Sequence, residues 1–262
     1  MYIRVTDHLI TFVLFLLVIF VKDVFAINIT GVDIPHLVKA GTDQPIVLDC
    51  NYVINSSMNT ELVIKWYVNQ DVIYQWIRGN KPTGSDEFHK YIDPSYKASE
   101  NPDTMYRAVK LVKPGHDLTG KVRCLISTQY EEAEASGWML VYSPETDFRW
   151  EVRRGYGDSH QLAMICTAEN LYPRPTMRIL QDRIPLDDQK HRYRNKSDGR
   201  YDVETLAILN AKEIKLPITM QCEISIREAN YTSVREYVYN GANLPGLSSL
   251  LVMAGLITTN RQ

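Results

Sequence analysis

Apolar and polar residues alternate with a period of two in several stretches of this chain, the pattern of half-buried β-strands. In 46–50, Ile46, Leu48 and Cys50 share one face, following a glycine turn at Gly41. In 160–167, Leu162, Met164 and Cys166 do the same. Leu62–Asn69 and Val72–Arg78 predict a hairpin across Gln70-Asp71. Parity points Ile73 and Ile77 of its second strand inward and turns Tyr74, Trp76 and Arg78 to the opposite face. Further strands are expected at Met105–Val112, Lys121–Thr128, Gly137–Tyr142, Phe148–Val152, Arg200–Leu209, Ile218–Ile226 and Ser233–Tyr239. The stretch 79–104 is polar and punctuated by Pro82, Gly84, Pro94 and Pro102, so it reads as loop with short edge strands.

The cysteines give these strands an architecture. Cys50, then Trp66 in the run Val63-Ile-Lys-Trp-Tyr-Val-Asn69, then Cys124 has the spacing of an immunoglobulin sandwich, in which an indole packs on an intersheet disulfide. Cys166 and Cys222 repeat the pair at a shorter interval. Four cysteines allow three connectivities, and the sandwich reading selects Cys50–Cys124 and Cys166–Cys222. The expected fold is all-β, with two tandem immunoglobulin-like sandwiches. The first interval, 74 residues, leaves room for the extra edge strands of a variable-type domain. The second, 56 residues, suits a constant-like one.

The ends set the compartment. Residues 1–26 read as a secretory signal: Arg4, an apolar core from Leu9 to Val21, and Val24-Phe25-Ala26 before the cut. Lys22 and Asp23 interrupt the apolar run and argue against a signal-anchor helix. The first domain then occupies 27–142 and the second 143–240, with a short hinge at Ser143-Pro144-Glu145. In 241–262, small residues, a short spacer and an apolar run resemble a GPI-attachment signal, though the run ends on polar Asn260-Arg261-Gln262. Lipid anchoring, simple secretion and a truncated end all fit that tail. Export makes disulfides the expected fate of the cysteines. It also gives meaning to four glycosylation sequons, at Asn28, Asn55, Asn195 and Asn230.

Composition narrows the function. The formal charge of −2 gives no electrostatic reason to expect nucleic acid, and no polybasic run addresses anionic membranes, leaving the lipid anchor as the membrane link. With all cysteines in disulfides, none remains as nucleophile or metal ligand. His36, His89, His116, His160 and His191 are scattered without metal-ligand spacing, and no nucleophile elbow or phosphate-binding loop is present. Asp187-Asp188 and Glu131-Glu132 read as solvated surface acids. No cofactor, metal or catalytic residue is expected, and the chain reads as a binder. A soluble secreted binder of immune or scavenger type is the alternative to a cell-surface recognition protein.

The chain holds 16 tyrosines and 4 tryptophans against 6 phenylalanines, a bias shared by interfaces and strands. Trp66 is assigned to the core. Tyr67, Tyr74, Trp76 and Arg78 are the expected partner-binding residues. The basic run 183–200, interleaved with Asp187, Asp188 and Asp198, reads as a solvated loop.

Cys50, the strand Val63–Asn69, the aromatic strand Val72-Ile-Tyr-Gln-Trp-Ile-Arg78, and Cys166 followed by Tyr172-Pro-Arg-Pro175 resemble the Beaten-path (Beat) family of neuronal surface and secreted proteins. The resemblance spans about residues 30–240. It implies binding of Sidestep-like immunoglobulin-superfamily ectodomains in axon guidance and synaptic partner choice, through the exposed sheet of the first domain. The chain departs from the usual pattern at Val122 and Met220, where a corner tyrosine is common, and at Ile179, where the second domain's core tryptophan is expected.

Overall fold

The computed structural model describes residues 27–54, 61–157 and 160–240. The signal segment, Asn55 and the tail from 241 lie outside the described residues. The described chain is all-β apart from short 3₁₀ turns. It divides into two compact units, one around Cys50 and Cys124 and one around Cys166 and Cys222. Both predicted disulfides are formed, with Cα–Cα separations of 6.4 Å and 6.0 Å.

The first sandwich comprises β1 (Ile27–Asp33), β2 (Leu37–Lys39), β3 (Ile46–Ile54), β4 (Val63–Val68), β5 (Asp71–Ile77), β6 (Thr83–Gly84), β7 (Ile92–Asp93), β8 (Val109–Leu111), β9 (Gly120–Ser127) and β10 (Glu132–Tyr142). One sheet has the order β1-β3-β8-β7 and the other β2-β10-β9-β4-β5-β6. The added β5 and β6 at the edge of the second sheet are the variable-type arrangement. Alternation buries Leu48 and Cys50 of β3, Ile64, Trp66 and Val68 of β4, and Val122, Cys124 and Ile126 of β9. Trp66 is fully buried opposite Cys124, and its Nε1 donates to the carbonyl of Arg107 at 3.0 Å. Val122 fills the corner-tyrosine position as buried aliphatic volume.

The second sandwich comprises β11 (Asp147–Arg154), β12 (Gln161–Leu171), β13 (Thr176–Gln181), β14 (Ile184–Pro185), β15 (Lys190–Asn195), β16 (Tyr201–Asn210), β17 (Ile218–Ile226) and β18 (Tyr231–Tyr239). Its sheets have the orders β11-β12-β16-β15 and β14-β13-β17-β18. Ile179 lies opposite Cys222, as Trp66 lies opposite Cys124. The aliphatic substitution at the tryptophan position is thereby placed in the register. Aromatic bulk enters this core from another strand: Trp150 of β11, opposite Cys166, packs against it and stacks on Tyr237 at 4.1 Å between centroids.

Three expectations are corrected. The strand foreseen over Met105–Val112 is only Val109–Leu111, because the backbone before it is held by side chains rather than by a neighbouring strand. The last strand of the first sandwich starts at Glu132, not at Gly137. The basic run is not a loop. Its 190–195 portion is edge strand β15, whose Arg192 and Arg194 meet Glu204 (3.7 Å) and Asp202 across the ladder to β16. Long, exposed, charged side chains are a common guard on such edges.

Candidate protein-binding face

The hairpin of β4 and β5 was expected to present the binding residues. Its turn is Asn69-Gln70, one residue earlier than predicted, with Asn69 at φ 56°. Between Trp66 and Tyr67 the register shifts: Trp66 pairs with Tyr74, but Tyr67 pairs with Val72, so Ile73 is the extra residue of a bulge. Ile73 and Tyr74 are consequently both buried, and beyond the bulge the inward set is Tyr74 and Trp76, with Gln75 and Ile77 outside. Tyr74 and Trp76 are therefore not partner-binding residues but core, at 1% and 2% exposure, and Ile77 is the outward residue at 39%.

The buried aromatics hold the segment 103–107 to the sandwich. Tyr74 donates its hydroxyl to the Tyr106 carbonyl at 2.9 Å, Trp66 donates to Arg107, and Tyr52 donates to the Asp103 carbonyl. Arg107 completes the fastening with a two-pronged contact to Asp49 at 2.8 and 3.0 Å. The Trp76 indole donates to Asn80 at 3.2 Å and meets the Tyr106 ring edge-on, centroids 5.8 Å apart. Burial, with Tyr106 adding to it, pushes the Tyr74 hydroxyl well above the ordinary tyrosine range, so it remains a donor. Arg78 is exposed at the strand's end, on the side of Tyr74 and Trp76 rather than of Ile77, and forms an ion pair with Asp103.

Of the predicted set, Tyr67 is the member left on the outer face of the sheet. Its register partner on β9 is Arg123, whose guanidinium lies over the Tyr67 ring at 4.2 Å and donates to Glu134 of β10 at 2.8 Å. Tyr67, Arg123 and Glu134 thus form a row across three strands. Lys65 and Leu125 form the neighbouring pair on the same face, with Gln75 opposite Lys65 and Ile77 opposite Val63. Further along β10, alternation from Glu134 through Ser136 leaves the Trp138 indole 56% exposed. Arg123, Glu134 and Trp138 were missed by sequence reasoning. The alternation within 120–127 and 132–138 marks them as outward, but only the ladder shows which strand lies beside Tyr67.

The second sandwich has a groove of about 620 Å³ on the outside of β11, β12, β16 and β15. Its cations are already matched: Arg149 with Glu169 at 3.0 Å, Arg192 with Glu204, and Arg194 with Asp202. That pairing leaves little unbalanced charge to attract a ligand. Asn28, Asn195 and Asn230 are exposed, the last in the left-handed conformation after a 3₁₀ turn. Among the described residues no group of His, Cys, Asp or Glu could hold a metal ion, and no helix is long and apolar enough to cross a membrane.

No family model and no curated protein matches this sequence. Solved structures do match its fold. Bovine butyrophilin is similar at 14% identity and a TM-score of 0.62, covering 82% of this chain and 99% of that one. The full ectodomain of mouse nectin-like molecule 4 is similar at 13% identity and a TM-score of 0.56, with coverages of 79% and 66%. The extracellular portion of mouse CD200RLa is similar at 14% identity and a TM-score of 0.51, with coverages of 78% and 98%. The fold class is therefore that of tandem immunoglobulin-like sandwiches, a variable-type one followed by a constant-like one.

Proposed function

We propose that the chain is an extracellular recognition protein whose first sandwich binds another immunoglobulin-superfamily ectodomain through the outer face of β10, β9, β4 and β5. The observation that carries this reading is the row Tyr67–Arg123–Glu134. It puts an aromatic ring and an oriented guanidinium, residue types enriched at binding hot spots, on a sheet face that further along carries the partly exposed Ile77. Its function is binding rather than catalysis. The resemblance to Beaten-path proteins extends the proposal: the partner is a Sidestep-like ectodomain, and the setting is axon guidance or synaptic partner choice. Export by the segment 1–26 and lipid attachment through 241–262 complete the proposed life of the chain at the outer cell surface.

The test is a binding screen of the full exported chain against a panel of immunoglobulin-superfamily ectodomains, Sidestep-type proteins included, with phospholipase treatment of expressing cells to read attachment. Saturable binding to one panel member supports the proposal. Binding confined to unrelated soluble ligands, with no retention on cells, would replace it with the secreted-scavenger reading.

A further inference from the structure

Ile27 is the first residue of β1, its side chain is 4% exposed, and it pairs with Ile54 at the end of β3. Its backbone nitrogen lies 3.0 Å from Oε2 of Glu131, more than a hundred positions away, in the turn between β9 and β10. That turn is internally organised. Thr128 N–H donates to the Glu131 carbonyl at 2.9 Å, and Thr128 Oγ1 accepts from the backbone of Tyr130 and Glu131, both at 3.3 Å. The sequence places the secretory cut at the bond just before this nitrogen, between Ala26 and Ile27.

We infer that removal of the signal turns the Ile27 nitrogen into an α-ammonium that forms an ion pair with Glu131, locking the mature amino terminus onto the β9–β10 turn. The inference rests on the proposed export of the chain. In the cut, water breaks the Ala26–Ile27 amide: hydroxyl goes to the Ala26 carbonyl carbon, hydrogen goes to the Ile27 nitrogen, and solvent supplies the further proton of the ammonium. An α-amino group titrates near pH ~8, so the new terminus is charged at neutral pH. No rearrangement is needed, because the nitrogen already donates to this carboxylate. The product has three donors in place of one and carries a full charge, which shortens and strengthens the contact. Burial of the Ile27 side chain fixes the terminus there.

The location gives the pair a consequence. In variable-type domains the β3–β4 and β9–β10 connections lie at the end of the sandwich that carries recognition loops. Ile27 touches the strand leading into the first of these and the carboxylate of the second. Processing thus replaces a neutral N–H donor to Glu131 by a charged one at this loop end.

The test is a cycle on the full chain expressed in a eukaryotic secretory host: native, Glu131→Gln, a Gly-Ser insertion between Ala26 and Ile27, and both changes together. Mass spectrometry reads the first residue, and amide hydrogen exchange reads the peptide spanning 128–132. The native chain is expected to begin at Ile27. Glu131→Gln and the insertion should each speed exchange about fivefold, and the combination should add nothing further. A mature chain starting elsewhere overturns the inference together with the assumed cut. A chain that starts at Ile27 yet responds to Glu131→Gln equally with and without the insertion overturns the ion pair alone. Neither readout depends on a binding partner.

Discussion

The hydroxyl of Tyr74 on β5 donates 2.9 Å to the main-chain oxygen of Tyr106, a residue in the segment leading to β8 on the opposite sheet. A strand that reads as an exposed aromatic ribbon is thereby a brace between the two sheets. Tyr74→Phe should remove the donor and leave the Tyr106 carbonyl poorly satisfied, costing about 1–2 kcal/mol. Trp76→Ala should cost about 3–5 kcal/mol as a large core truncation. Urea denaturation of the exported protein checks both. A Trp76→Ala variant that melts normally but loses partner binding would restore that residue to the surface.

Trp66→Ala should be at least as damaging, at about 3–5 kcal/mol, because it empties the space beside Cys50–Cys124 and frees the Arg107 carbonyl. Loss of either disulfide should cost about 2–5 kcal/mol. Secretion yield and non-reducing peptide mapping read these outcomes, and a Cys124–Cys166 cross-link would refute the pairing.

On the proposed face, Tyr67→Ala and Arg123→Glu should each weaken partner binding at least tenfold, roughly the effect of removing a modest hot spot. Glu134→Lys, which breaks the contact to Arg123, should act with them. All three residues stand on the outer side of the sheet, so melting temperatures should change little. Arg192→Ala and Arg194→Ala on β15 are the controls and should leave binding intact. Surface-plasmon titration decides. Loss of binding in the β15 variants alone would move recognition to the second sandwich.

Asp198 offers a titration test. Hydrogen bonds from the side chain and backbone of Arg200 hold its carboxyl down at about 2. A depressed carboxylate stabilises the fold above its unfolded value, near ~3.9, and loses that contribution as pH falls through the folded value. NMR should show Asp198 titrating near pH 2, and Arg200→Ala should return it toward the ordinary range. An unchanged midpoint in that variant would show that Arg200 is not the cause.

Much of this architecture is local and was readable in the chain. Cys50, Trp66 and Cys124 stand at intervals that only a few strands can span. Counting from the Pro173-Arg-Pro175 turn found Ile179 in the second core, where the ladder sets it against Cys222. What the sequence could not determine was the outcome of strand pairing. Period-two parity assumes an unbroken ladder, and the shift between Trp66 and Tyr67 breaks it, turning Tyr74 and Trp76 inward. In β15 the cations Lys190, Arg192 and Arg194 alternate with His191, Tyr193 and Asn195, so neither face is a row of apolar residues, and the segment is a strand because β16 supplies hydrogen bonds and acids across the edge. The Tyr67–Arg123 and Ile27–Glu131 contacts join residues far apart in sequence. Local pattern says which side of a strand a residue takes, but neighbours across a sheet are chosen by register, and register is a property of the folded chain.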